Sequence, residues 1–221
     1  MENSTLPKVS RPRFDEARAV VVPGESLLDA LAEDRLDYEN ALLRGVQAPG
    51  AEMDNTSWKR CRFEGCRLSG LSARKSAFTD VVFKNCDLSN ADLAECVFGR
   101  VRFEDCKLAG AQLYAGGFND VVLHRCKAQL VSFTDAKAQR LVFGECAMGE
   151  ARLDGILGKE YAFARCDLRA ANFRGTALAG VDLSDCNIEG AGFAMGDLKG
   201  ATVSALQACE LAKLMDLVVK D

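Results

Sequence analysis

The sequence has little of what chemistry usually needs. It holds one histidine, His124, one tryptophan and three tyrosines among 221 residues. A single imidazole leaves a Cys/His zinc centre with little to draw on. No nucleophile, base and acid can be assembled from the spacing, and glycine-rich phosphate loops are absent. His124 follows directly on a large apolar position, so it is expected to point outward. The reading is a protein that is not an enzyme and takes no cofactor or metal. No apolar run approaches the roughly 20 residues of a membrane-spanning helix, and charges break residues 1–22 where a signal peptide would be apolar. A cytoplasmic protein without membrane association is expected. The 28 basic and 32 acidic residues give a net charge of −4. With no basic-aromatic stripe, direct nucleic-acid binding is not expected.

What the chain does have is a period. From Cys61 to Val203 a large apolar residue stands at nearly every fifth position, as at Phe63, Leu68, Phe78, Phe83, Leu88, Leu93 and Phe98. Two positions earlier stands a small or β-branched residue, as at Cys61, Val81, Ala91 and Cys96. Such a repeat outranks other sequence signals. Residues five apart on a helix are rotated by about 140° and would scatter round its surface. An ordinary strand alternates every second residue. A coil with a corner every five residues, two side chains in and three out, satisfies the spacing. Four sides close a square of twenty residues. The cysteines agree, because Cys66, Cys86, Cys106, Cys126, Cys146, Cys166 and Cys186 recur at twenty-residue steps. All ten cysteines except Cys209 take the small inward position, where a reduced thiol packs as a small hydrophobe. The expected core includes Phe63, Cys66, Phe83, Cys86, Phe103, Cys106, Phe143, Cys146, Phe163, Cys166 and Cys186.

Gly, Asn or Asp stands two residues after many of the large positions, as at Gly65, Asp80, Asn85, Asp105, Asp120 and Gly155. These types suit tight corners and positive φ. One region departs from the pattern. Ala128, Ala138 and Gly158 are small where a large side chain is due, while Leu141, Ile156 and Tyr161 are oversized nearby. Interiors hold few voids, so the Tyr161 ring is predicted to lie inside, filling the space left by Gly158; the alternative is a local bulge that bends the rod. Outward positions include Val82, Val122 and Val142 with Arg102 among them, read as an exposed strip on one side.

Ala-Asp-Leu at 91–93, Cys-Asp-Leu at 86–88 and 166–168, Ala-Asn-Phe at 171–173 and Val-Asp-Leu at 181–183 resemble the pentapeptide-repeat family. The resemblance covers about 140 residues in one register and implies an all-β fold, a right-handed quadrilateral β-helix. From near Leu36 to Val203 the chain is long enough for about eight coils.

The division that follows is an arm and cap over 1–35, the coil over 36–203, and a C-terminal helix and tail over 204–221. A short helix over 24–35, capped by Ser26, is expected to cover the first coil. Ser204 is expected to cap a helix over about 205–216, with Leu206, Cys209, Leu211, Leu214 and Met215 on its apolar side and Leu217 and Val218 following. An apolar surface at the end of a rod favours a two-fold, end-to-end partner. The stretch from Leu206 to Val219 is similar to the C-terminal helix of the gyrase-protecting members, the Qnr type and the mycobacterial fluoroquinolone-resistance type, which implies a homodimer.

Residues 1–35 carry seven acids and five bases (−2) and residues 206–221 three acids and two bases (−1), so the coil holds about −1 of the −4. Residues 181–198 nevertheless carry Asp182, Asp185, Glu189 and Asp197 with no base. The resemblance implies that such an acidic middle in a dimeric rod acts as a DNA mimic on a type II topoisomerase, DNA gyrase. It would protect that enzyme from fluoroquinolones or a natural toxin. The modest charge of the coil departs from this pattern. So does an insertion-free register, which is closer to the mycobacterial type. The alternative is a scaffold that binds another protein partner.

Overall fold

The period of five becomes four sides because each side buries two residues and then turns. The computed structural model describes residues 6–24 and 37–215. In the first turn, β2 (Asp37–Glu39) and β3 (Ala41–Arg44) form two adjacent walls, and in the second β4 (Ser57–Lys59) and β5 (Arg62–Glu64) repeat them. From the third turn on, each pair merges into one strand bent at a corner: β6 (Ala77–Lys84), β7 (Val97–Glu104), β8 (Gly117–His124), β9 (Lys137–Gly144) and β10 (Leu157–Ala164). Pairing is parallel throughout and in a twenty-residue register, so Phe63, Phe83, Phe103, Leu123, Phe143 and Phe163 lie one above the next. The third and fourth walls carry single bridges, such as Arg67↔Asp87 and Ser72↔Asp92. The result is a parallel β-solenoid with seven strand-bearing turns. A last, strandless turn is held by Asn172↔Gly192 and Asp182↔Thr202, and it accounts for the eighth coil expected from length.

The core follows the inward columns. Phe63, Phe103 and Phe143 are fully buried, and neighbouring rings stack at 4.7 Å (Phe63–Phe83), 4.9 Å (Phe83–Phe103) and 5.0 Å (Phe143–Phe163). The spacing of about 4.8 Å between parallel strands sets this stacking distance. Nine cysteines are buried and Cys209 is exposed. From Cys66 to Cys166 each column thiol donates to a carbonyl of the turn below, as Cys86 Sγ does to Phe63 O at 3.4 Å and Cys106 Sγ to Phe83 O at 3.4 Å. Burial pushes the Cys61 thiol up to about 11 and the Cys96 thiol up to about 12, so both are protonated packing groups.

Corners fall in the left-handed region at almost every fifth residue. Gly65, Asp80, Asn85, Asp105, Asp120 and Gly155 have φ between 53° and 68°, as their residue types suggest. Arg100, Arg125, Glu145 and Arg165 adopt the same conformation at φ 51–53°. A left-handed residue with a Cβ costs roughly 1–2 kcal/mol. These residues are held there by the ladder on either side and by their ion pairs, described below.

Tyr161 is buried in the core, as expected from the spacing, and its hydroxyl donates to Ala177 O in the turn above. Elsewhere that inward position holds Val81, Val101, Val121 or Leu141, all fully buried. A phenol ring is too large for one layer, and the layer above is displaced. The corner amide gives a hydrogen bond to the next turn six times running: Gly45 to Glu64, Gly65 to Lys84, Asn85 to Glu104, Asp105 to His124, Arg125 to Gly144 and Glu145 to Ala164. At Arg165 the series stops. Among the described residues, no backbone hydrogen bond joins β10 to residues 177–185. The third and fourth walls stay closed across the same step, through Asn187 N to Cys166 O (2.9 Å) on the third and Gly192 N to Ala171 O (2.8 Å) on the fourth.

The coil ends under α1 (Ala205–Ala212), where Ser204 and Gln207 form a capping box. The residue turned toward the coil is Gln207 rather than an apolar one. It is buried and its side-chain amide donates to Leu183 O at 2.9 Å and Cys186 O at 2.8 Å. Leu183 O also accepts from Cys186 N at 2.9 Å, whereas Cys186 O faces the position a further turn would fill, and leaving it unpaired in a buried place is costly. Leu211, four residues on and so on the same face, packs against the core cluster. Leu206 (75% exposed), Cys209 and Leu214 face outward. The expected helix over 24–35, the side chain of Met215, and Leu217 and Val218 lie outside the described residues.

Candidate protein-interaction surface

The outside of the coil is organised by corners. Asp80, Arg100, Asp120, Arg140 and Glu160 stand in one column and alternate in charge, with Arg100 Nε 2.6 Å from Asp80 and Arg140 Nε 2.6 Å from Asp120. Asp105, Arg125, Glu145, Arg165 and Asp185 form a second such column, with Arg125 2.7 Å from Asp105 and Arg165 2.6 Å from Glu145. The Arg125 guanidinium holds the Asp105 carboxyl below the usual carboxylate range. Stacked opposite charges explain why 28 basic and 32 acidic residues leave the coil nearly neutral. They also fix register, because a slip of one turn would put like charges together.

The four acids of residues 181–198 lie on three sides of the coil. Asp182 is on the second wall, with Oδ1 accepting from Ser184 N at 2.9 Å. Asp185 sits at the following corner, exposed, and accepts from the Cys186 thiol at 3.3 Å. Glu189 is exposed at the end of the third wall. Asp197 is on the first wall, and its Oδ2 accepts from Gly175 N at 2.8 Å and Ala194 N at 3.2 Å. Asp185 and Glu189 are therefore the acids with open carboxylates, and Arg165 and Arg169 of the turn below lie within electrostatic reach of them.

The N-terminal arm was not foreseen as part of this surface. β1 (Val20–Val21) pairs in parallel with Ala41–Leu42 and adds a layer below the first turn. From there the arm runs along the coil over its second wall. Glu16 pairs with Arg44 at 2.7 Å, Arg13 N donates to Asp80 Oδ1 at 3.0 Å and Ser10 N to Asp120 Oδ1 at 3.1 Å. Leu6 reaches the neighbourhood of Phe163–Arg165. Asp80 and Asp120 are buried, at 5% and 6% exposure. The Arg140 guanidinium, helped by the Ser10 amide, holds the Asp120 carboxyl down at about 2. Burial works the other way at Asp80, but Arg100 and the Arg13 amide outweigh it and the carboxyl is lowered. The arm also corrects the expectation of an exposed valine strip. Val82 is 9% exposed and Val142 6%, because this is the wall along which the arm passes. Pro7, Pro12 and the alternating charges read from sequence as an arm, and nothing local says that its amides match carboxylates forty residues apart.

Among the described residues no cluster of three His, Cys, Asp or Glu side chains is placed to hold a metal ion. No described helix is long and apolar enough to cross a membrane.

Comparison with known proteins follows this geometry. No curated protein matches the sequence. Among solved structures, a trypsin-treated variant of QnrB1, a plasmid-mediated fluoroquinolone resistance protein, is 18% identical with a TM-score of 0.43, covering 96% of this chain and 94% of that one. Full-length QnrB1 is 16% identical with a TM-score of 0.37, covering 90% of this chain and 98% of that one. HetL, a pentapeptide-repeat protein involved in heterocyst differentiation regulation from the cyanobacterium Nostoc sp., is 18% identical with a TM-score of 0.27, covering 83% and 97%. A family profile described as a pentapeptide repeat region matches residues 56–105 and 96–173, and a second, for eight copies of the pentapeptide repeat, matches 166–204. Since the first of these already takes in more than half of the sequence, the chain belongs to the pentapeptide-repeat family.

Proposed function

We propose that the protein is a non-enzymatic, rod-shaped binding module. It pairs with a second copy through the outer face of α1 and occupies the duplex-binding saddle of a type II topoisomerase, DNA gyrase. In that position it would protect the enzyme from fluoroquinolones or a natural toxin that traps cleaved DNA. The observation that carries this reading is the end of the rod. Leu206 and Leu214, at 75% and 44% exposure, form an apolar surface on the cap beside the acidic last turn. Pairing there places two sets of Asp182, Asp185, Glu189 and Asp197 about the middle of the assembly. At about 4.8 Å per turn, the two coils together are roughly 80 Å long, comparable with 20–25 base pairs at 3.4 Å each. The assignment of QnrB1 to fluoroquinolone resistance is in keeping with it.

A second reading is a scaffold for some other protein. It is favoured by the corner ladders, which pair acid with base along most of the coil and leave no continuous negative field. Gyrase supercoiling, measured with and without the protein and in the presence of a fluoroquinolone, separates the two. The topoisomerase reading predicts inhibition or protection at micromolar protein, lost in the Asp185→Lys, Glu189→Lys double variant with the fold intact. Absence of inhibition, protection and gyrase pull-down leaves the scaffold.

A further inference from the structure

The step between β10 and the turn above it is open on two of its four sides. A cleft of about 580 Å³ runs there, with Gly158–Phe163 on one side, Ala177 and Ala179–Asp182 on the other, and Leu6 and Pro7 at its mouth. We propose that this cleft is a strand-accepting site for an extended peptide segment of a partner protein, one carrying a large apolar side chain.

Three observations support it. First, the backbone edge is exposed to the cleft. β10 pairs with β9 along one edge, while on the other the ladder that continues through every earlier turn has no counterpart among the described residues. Peptide amides and carbonyls in a partly enclosed place need partners, and an extended backbone supplies them at strand spacing, as in β-strand addition. Second, the cleft is lined by unusually small residues for this coil: Gly158, Ala162, Ala177, Ala179 and Gly180. Through positions 78, 98, 118 and 138 one inward column reads Phe, Phe, Phe, Ala, so a large inward side chain is missing at Ala138, and at the next level Gly158 is exposed at φ 131° with its backbone turned onto Ala138. A shallower groove of about 410 Å³, lined by Phe118, Ala138, Leu157 and Gly158 among others, meets the cleft at Gly158. Leu157 there is 59% exposed. An incoming apolar side chain has a place to go. Third, the mouth already holds Leu6 and Pro7, an apolar pair at the end of the arm, which shows the chemistry the cleft takes.

Tyr161 is the prop. Its ring lies inside and its hydroxyl reaches Ala177 O across the gap, which keeps the layers apart. Replacing it by valine, the residue at 81, 101, 121 and 181, should let the ladder close.

The test uses the full-length protein and amide hydrogen exchange. The probe is a blocked octapeptide copying Gly117–His124, whose phenylalanine falls at the level of Gly158 when aligned with β10. Its saturable binding should slow exchange at the Glu160, Phe163 and Arg165 amides by about tenfold or more. The same peptide with alanine for phenylalanine should bind about tenfold more weakly. In Tyr161→Val those amides should be protected without peptide, and peptide binding should be lost. The proposal is overturned if about 1 mM peptide gives no protection, or if Tyr161→Val binds the peptide as well as the parent does. It is also overturned if the three amides of the free parent already exchange as slowly as those of β9 and speed up when the residues before Ser10 are removed, because the occupant is then this chain's own arm.

Discussion

The turns built on β6 to β9 and the turn that follows β10 use the same five-residue unit, yet they are held together differently. In the first region every wall is bonded to the next, phenylalanines stack at 4.7–5.3 Å and the corner charges alternate. In the second, two walls lose their ladder and the stacked rings give way to Leu178 and Leu183. The turn is secured from above instead, by the Gln207 side chain. The difference comes down to a few side chains around Gly158 and Tyr161. Layers about 4.8 Å apart cannot absorb an oversized inward residue within their own thickness. The excess is passed to the neighbouring layer, and Tyr161→Val is expected to rejoin the two turns.

The comparison can be broken in several places. The largest effect is expected in the stack: Phe103→Ala, at a fully buried ring between two others, should cost about 3–5 kcal/mol in urea unfolding. Phe193→Ala in the last turn, where the ring has one stacked neighbour, Phe173, should cost less than half as much. Equal losses would show that the two regions are one cooperative block. Next comes Gln207→Ala, which strands Cys186 O and removes the second donor of Leu183 O. It should cost about 1–3 kcal/mol and speed amide exchange in residues 183–193 while leaving β6–β8 unchanged. If β6–β8 exchange faster as well, the cap serves the whole coil.

Acid should act on the strapped region. Asp120 has its carboxyl lowered in the folded chain from 3.8 to about 2. The stability it contributes is therefore complete above pH 4 or so and is lost as pH falls through about 2. The Ser10 amide resonance should follow that titration, and in Asp120→Asn it should no longer titrate there. A Ser10 signal that is flat from pH 4 to 2 in the parent would mean that the arm is not held by this carboxylate. The smallest effect is expected at Lys107→Ala. Its pair with Asp87 is exposed at 3.5 Å, and the change should fall within about 1 kcal/mol.

Much of the fold was readable because each five-residue unit contacts only its neighbours. The phenylalanine and cysteine columns, the glycine, asparagine and aspartate corners, the Ser204 cap and the inward Tyr161 ring all follow from residue type and spacing. Less was readable where vertical partners decide. Arg100, Arg125 and Glu145 take the left-handed corner against their propensities, because the carboxylate or guanidinium one turn away holds them. Apolarity marked one side of α1, with Leu206, Cys209, Leu211 and Leu214, and gave no sign that a polar residue would seal the coil. The open Cys186 carbonyl of the last turn calls for glutamine, a requirement visible only once the coil end exists. The valine strip was misread as exposed for a similar reason, since its cover comes from residues some seventy to a hundred and thirty positions earlier.

The arm has a consequence for how such a rod can change length. Its amides at Ser10 and Arg13 are three residues apart, and the carboxylates they meet are forty apart. Three residues of extended chain span about 10 Å, close to two turns at about 4.8 Å each. Duplicating a single twenty-residue unit between Asp80 and Asp120 would put the arm half a step out of phase. It would also set two acids or two arginines face to face in the corner column. Growth or shrinkage of this molecule by recombination is thus quantised in pairs of turns, with the N-terminal segment acting as the gauge.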